Sequence, residues 1–234
     1  MVSPRTESTV AVVPIRHTDS VASFTIGGRS VLDHTVRALR SVRQIGPIIL
    51  ALEGGEPGDC LAAIDDPDSL DLRVSPPSAS RWLAMQSALA LVEGQRVLIQ
   101  EPDRPLVSVV GLEQVLLESR HHPVVVTASP VHSSIKRVVD GRIVSTVPRD
   151  LLRTAQSPWI FDRHVLEEAL RAAIALGWPA THEMELVRHS DLPVHIATGD
   201  LFSVPVVSRA DARFAEMALE RIRPALPATV AAGV

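Results

Sequence analysis

Cysteine is nearly absent from this chain: Cys60 stands alone, which excludes an intramolecular disulfide framework and any paired-cysteine zinc site. Such usage fits a reducing compartment. Long hydrophobic runs are missing as well, none approaching the roughly 18 residues a membrane span requires. The first residues, Met1 to Thr9, carry Arg5 and Glu7 and lead into no apolar segment with a small-residue cleavage site. A cytoplasmic protein with no membrane partner is expected. An excess of one charge sign is also lacking: 23 basic residues against 27 acidic ones give a net charge of -4. No sequence-wide attraction to a polyanion follows, so nucleic acid is not an expected partner and any anion site must be local. The sequence holds no GxxxxGK[ST] or GxGxxG phosphate loop, no HExxH and no GxSxG. Its nine histidines are scattered: His121 and His122 are adjacent, and His182, His189 and His195 share a region with Glu183 and Glu185. No zinc-site spacing is evident among them.

What is present is 234 residues at 46% hydrophobic and 21% charged, enough to bury the core of one large domain. Short β-branched runs recur at Val10–Val13, Ile48–Leu52, Val97–Ile99 and Pro123–Ala128, and the first is expected to stop at Pro14. Helical patterns lie between them. Ser30 is placed to cap a helix that buries Val31, Leu32, Thr35, Val36 and Leu39, and Ser80 one that buries Leu83, Met85, Leu89 and Leu91. A third helix is expected from Val107 to Ser119. Strands alternating with helices of this length predict an α/β fold, a mostly parallel Rossmann-like sheet covered on both faces. The alternation then breaks. Ile135–Val139, the turn Asp140-Gly141 and Arg142–Val147 read as a hairpin, and its charge places it outside the core as a projecting arm, bounded at about 131–158. Beyond it come a helix from Arg163 to Leu176, a strand pair near Val194–Ala197 and Val204–Val207, and a helix from Arg209 to about Arg223. Residues 1–223 form one expected domain and 224–234 a frayed tail. No internal repeat or low-complexity segment is found.

Six fragments follow one another along this frame. They are Gly27-Gly28-Arg29-Ser30-Val31-Leu32-Asp33-His34-Thr35, Ser80-Arg81-Trp82, Gln100-Glu101-Pro102-Asp103-Arg104-Pro105, Pro130-Val131-His132-Ser133-Ser134-Ile135-Lys136-Arg137, Thr146-Val147-Pro148-Arg149-Asp150-Leu151-Leu152 and Ala155-Gln156-Ser157-Pro158-Trp159-Ile160-Phe161. In this order and spacing the series resembles the methylerythritol-phosphate cytidylyltransferases of the non-mevalonate isoprenoid pathway, from Val10 to about Arg221. The resemblance implies a nucleotidyltransferase that joins CTP to a methylerythritol phosphate with Mg²⁺ assistance and releases pyrophosphate. It also implies a homodimer whose arm reaches the partner's site. Such chemistry is mostly positioning and charge neutralisation.

Three groups of residues carry that expectation. Where the family has a glycine-rich loop with an arginine and a lysine, this chain has Pro14, Ile15, Arg16 and His17 and continues to Ile26 with no glycine, no lysine and fewer residues. Non-glycine residues disfavour the backbone conformations that curl round phosphate. Pro14, Ile15, Arg16, Arg81 and Arg104 are therefore the candidate nucleotide-binding residues, with Arg16 as a solvated surface residue the plainer alternative. Glu101 replaces the family's aspartate and is the candidate Mg²⁺ ligand, or else an acid paired with Arg104. For the second substrate the resemblance nominates Arg104, Ser134, Arg149 and Thr181, and it makes Arg16, Lys136 and Arg149 the candidate catalytic residues. Lys136 and Arg149 could equally serve arm packing. His182 and Pro205 replace a family aspartate and a family lysine, and proline supplies no charge. The departures fall on phosphate handling while the fold-defining fragments persist. A family member with weak or lost classical activity is the expectation, and a divergent active nucleotidyltransferase on the same or another sugar phosphate is the alternative.

Overall fold

The computed structural model describes residues 8–16, 24–179, 183–200 and 202–222. The chain opens with β1 (Thr9–Arg16), a tight hairpin of β2 (Thr25–Ile26) and β3 (Arg29–Ser30), and α1 (Val31–Arg40). The hairpin turn is Gly27-Gly28, both at positive φ, as a two-residue turn of this hand demands. Then follow β4 (Ile45–Glu53), α2 (Pro57–Ala62), β5 (Leu72–Val74), α3 (Arg81–Leu89), β6 (Arg96–Ile99), α4 (Val109–Glu118) and β7 (Val124–Pro130). The arm is β8 (Ile135–Val139) and β9 (Arg142–Val147), after which come β10 (Arg153–Asp162), α5 (Arg163–Leu176), α6 (Met184–Ser190), β11 (His195–Thr198) and α7 (Arg209–Ile222).

Seven strands form one sheet in the order β11-β7-β10-β6-β1-β4-β5. Every pair is parallel except the two made by β10, which runs antiparallel between β6 and β7. Residue alternation along β1 divides the core. Ala11, Val13 and Ile15 face α1, α4 and α7, whereas Val10 and Val12 face α3, α5 and α6. Both faces are buried, which is why the strands read as continuous apolar runs. The helices begin where side chains cap them: Ser30 accepts from the Asp33 amide at 2.9 Å, and Ser80 and Ser108 do the same for α3 and α4. Each satisfies an N–H that the first turn leaves without a partner.

The structure departs from the sequence reading at five places. β1 runs on through Pro14 to Arg16, because β6 flanks it only as far as Val12 while β4 continues beside it. Proline's missing N–H therefore falls where β1 has no β6 neighbour. In α3 the buried face is Trp82, Met85, Ala88 and Leu89, spaced by three and four residues as a helix stripe must be. Leu83 and Leu91 lie off that stripe and are each 37% exposed. Val204–Val207 is not a strand: Pro205 interrupts any ladder, and Val206 donates its N–H to the Asp103 carbonyl at 2.8 Å. The hairpin itself occupies 135–147, while Arg153–Asp162, assigned in part to the arm by sequence, enters the main sheet. Its buried half, Gln156–Phe161, carries Trp159 and Phe161 into the core. The short edge strand β5 carried no signal in the sequence. The tail beyond Ile222 lies outside the described residues.

Candidate functional site

The C-terminal ends of β1, β4 and β6 open at one edge of the parallel sheet, where α/β folds place their ligands. Arg16 closes β1 and Glu53 closes β4, in register with each other. The Arg16 Nε donates to Glu53 Oε2 at 3.2 Å. Pro14 and Ile15 are strand residues paired with Ala51 and Leu52, so they support Arg16 from below.

One helix further along, Arg81 opens α3. Its Nε and Nη2 donate to the two carboxylate oxygens of Glu183 at 2.6 and 3.0 Å. The side chains are 7% and 0% exposed, a buried bidentate pair. Burial works against the charged form of Arg81, but the charge of Glu183, its hydrogen bonds and the weaker fields of Glu101 and Glu53 outweigh it and raise the pKa above the usual arginine value. Those weaker fields place Arg81 within electrostatic reach of both strand-end carboxylates.

Beyond β6 comes the turn of Glu101 and Arg104. The Glu101 amide donates to Ser157 Oγ at 3.2 Å. Arg104 Nε donates to Glu101 Oε2, and its Nη1 donates to the Ser203 carbonyl at 2.5 Å. Gln100, fully buried, leaves its Oε1 without a hydrogen-bond donor among the described residues.

The sequence-nominated residues thus divide into two sets. Arg16, Arg81, Glu101 and Arg104 gather at one edge of the sheet, each arginine against its own carboxylate. Ser134, Lys136 and Arg149 belong to the arm. Lys136, the chain's only lysine, donates to Thr146 Oγ1 at 2.8 Å, and Arg149 donates to the His132 carbonyl at 2.7 Å. Thr181 and His182 lie outside the described residues, as does the stretch His17–Ser23 that replaces the glycine loop. Sequence reasoning missed Glu53 and Glu183 as partners. Only the parallel register of β1 with β4, and a contact across 102 positions, bring them in.

The model of the 2-C-methyl-D-erythritol 4-phosphate cytidylyltransferase family matches residues 17–221, from just past Arg16 to the end of α7. The chain belongs to this family. It is similar to the 2-C-methyl-D-erythritol 4-phosphate cytidylyltransferase of Symbiobacterium thermophilum, with 31% identity over 196 residues covering 82% of each protein. The enzyme of that name from Frankia casuarinae is 33% identical over 207 residues, 86% of this chain and 74% of its own. Among solved structures, the 4-diphosphocytidyl-2C-methyl-D-erythritol synthase of Anaerococcus prevotii superposes with a TM-score of 0.79 at 22% identity, covering 92% of this chain and all of that one. That likeness fixes the nucleotidyltransferase-type α/β fold. No helix among the described residues is long and apolar enough to cross a membrane.

Proposed function

We propose that this chain is a cytidylyltransferase-family protein whose classical activity, CTP plus methylerythritol phosphate to the cytidine diphosphate product and pyrophosphate, is weak or lost. One observation carries the reading. Each arginine nominated for the triphosphate is held by a carboxylate: Arg16 by Glu53, Arg81 by Glu183, Arg104 by Glu101. Three cations facing three anions leave little field to collect a triphosphate, and Arg81 is buried in its pair as well. The missing glycine loop and the proline at 205 point the same way. Removal of one preorganised donor costs about 10²–10³ in rate, and several changes are present.

A second reading is favoured by the family match along nearly the whole chain. In it the incoming triphosphate draws Arg16 and Arg104 away from their carboxylates. An oxygen of the sugar phosphate attacks the α-phosphorus, the bond from that phosphorus to the bridging oxygen breaks, and pyrophosphate leaves. Mg²⁺ suits this edge, since the ion is commonly held by one carboxylate plus substrate phosphates. Glu101 would hold it, and the ion would neutralise charge on the phosphates. Arg104, released, would face the phosphate oxygens. The arm supports a homodimer in either reading: Val138, Val139, Ile143 and Val144 are all exposed, an apolar surface suited to a second copy of the arm.

Pyrophosphate release with CTP, Mg²⁺ and methylerythritol phosphate decides between the readings. We expect turnover at least about 10²-fold below an ordinary enzyme's roughly 10 s⁻¹. Robust turnover that disappears in Arg104→Ala would overturn the proposal and establish the second reading.

A further inference from the structure

A second group of chemistry-bearing side chains lies at the opposite end of the sheet, and the reading above leaves it unused. Glu118 is the last residue of α4, His122 sits in the turn leading into β7, and His195 is the first residue of β11. Because β11 lies parallel beside β7 with His195 opposite Val125, residues far apart in sequence meet at the N-terminal ends of these strands. The two imidazole rings stack with centroids 3.8 Å apart and planes 3° from parallel. His195 Nε2 lies 3.4 Å from Glu118 Oε2. One donor atom from each of the three residues falls within 4.8 Å of the others, and all three residues are half-buried.

These distances can be judged against coordination geometry. Two donors bound at about 2.0–2.1 Å to a tetrahedral ion lie about 3.4 Å apart. The His195–Glu118 separation is already such an edge. The widest separation, at most 4.8 Å, exceeds the tetrahedral edge by no more than about 1.4 Å, a gap that a turn of the His122 side chain would close. The backbone beneath that ring is held, since Arg96 Nη1 donates to the His122 carbonyl at 3.2 Å. Partial exposure leaves room for water at a fourth position. An ion pair alone would account for His195 and Glu118, but not for a second imidazole laid face to face beside them.

We propose that Glu118, His122 and His195 form a divalent transition-metal site, suited to Zn²⁺, that clamps the end of α4 to the starts of β7 and β11. Two imidazoles and one carboxylate match a borderline ion; Mg²⁺ and Ca²⁺ take oxygen ligands. The site joins three elements at the end of the sheet away from the C-terminal edge, so its role is structural.

The test uses full-length protein without a histidine tag, stripped with chelator and titrated calorimetrically with Zn²⁺. The expected result is one Zn²⁺ per chain with a dissociation constant of about 10 µM or tighter and a rise in melting temperature on loading. His122→Gln, His195→Gln and Glu118→Gln should each weaken binding about 10-fold or more, whereas Cys60→Ser and His189→Gln should leave it unchanged. Co²⁺ added to the wild-type protein should give the visible band of a four-coordinate ion without a thiolate charge-transfer band. This keeps the proposal open to refutation even where a variant fails to fold. No Zn²⁺ bound at about 1 mM, binding undiminished in the His122→Gln/His195→Gln double variant, or a Co²⁺ spectrum dominated by thiolate overturns the site.

Discussion

The two ends of the parallel sheet handle positive charge in opposite ways. At the C-terminal ends of β1, β4 and β6, Arg16, Arg81 and Arg104 each face a carboxylate. At the N-terminal ends of the same strands an open cavity of about 980 Å³ is lined by Arg43, Arg96 and Arg120, with Glu113 as the one acidic side chain among the described residues. The edge that the family's fragments mark thus keeps its arginines, each beside a carboxylate. Among the described residues the unbalanced arginines line the opposite end of the sheet, away from those fragments. The attraction of such an edge for an anion depends on what each guanidinium already holds, not on the number of arginines alone.

The strongest way to break the contrast is to remove a carboxylate from the C-terminal edge. Glu183→Ala should cost the most, about 3–5 kcal/mol, because it strands the buried guanidinium of Arg81 without its partner; urea unfolding measures it. Loss of less than about 1 kcal/mol would mean that the pair is solvated in solution. A smaller effect tests whether the two ends are independent. α4 begins near the C-terminal edge, where Ser108 accepts from the Gly111 amide at 3.0 Å, and it ends at Glu118. Ser108→Ala should lower stability by about 1 kcal/mol while changing Zn²⁺ affinity less than about twofold. A larger change would show that capping at one end sets the ligand at the other.

Most of the sheet could be read from the sequence, because strands buried on both faces appear as uninterrupted β-branched runs. α1 was legible to its buried face, since Ser30 and the spacing of its apolar residues agree. β10 was not: its apolar half follows polar residues and crosses Ser157-Pro158, so its pattern resembles a loop, and its partners β6 and β7 lie far upstream. Arg16, Arg81, Glu101 and Arg104 were nominated through resemblance, and the structure gathers them at one edge. What they hold was illegible, since Glu53 meets Arg16 only through strand register and Glu183 meets Arg81 only through tertiary packing. The histidine cluster was missed for the same reason. His122 and His195 have no metal-site spacing in sequence, and the parallel pairing of β7 with β11 creates it.

Smaller changes sharpen the contrast at the C-terminal edge itself. Glu53→Gln removes one carboxylate from a partly exposed pair, and its side chain is only 27% exposed. If local cancellation limits nucleotide binding, this substitution should tighten CTP by about two- to fivefold, the range that a pair worth under about 1 kcal/mol permits. Calorimetric titration of CTP with Mg²⁺ measures it. Unchanged or weaker binding would mean that Glu53 contributes to the site and that charge balance is not the limiting factor.

The smallest effect concerns α7, which starts beside the same edge, where Val206 bonds to Asp103. Ser208 and Asp211 cap the helix reciprocally: the Ser208 hydroxyl donates to Asp211 Oδ2 at 2.6 Å, and the Asp211 amide donates to Ser208 Oγ at 3.2 Å. The hydroxyl bond, aided by the Val207 and Ser208 amides, holds the Asp211 pKa below the ordinary aspartate value. A carboxylate whose pKa is depressed on folding adds stability that is complete above its unfolded pKa and is lost as pH falls through the folded one. Wild-type protein should therefore melt slightly above Asp211→Asn at neutral pH, and the gap should close as pH falls below the ordinary aspartate range. A gap independent of pH would assign the effect to hydrogen-bond geometry that asparagine fails to reproduce. Closure in acid would instead show that the carboxylate charge at the start of α7 supplies it, on a helix whose Glu216 also accepts from the Gly27 amide of the first hairpin.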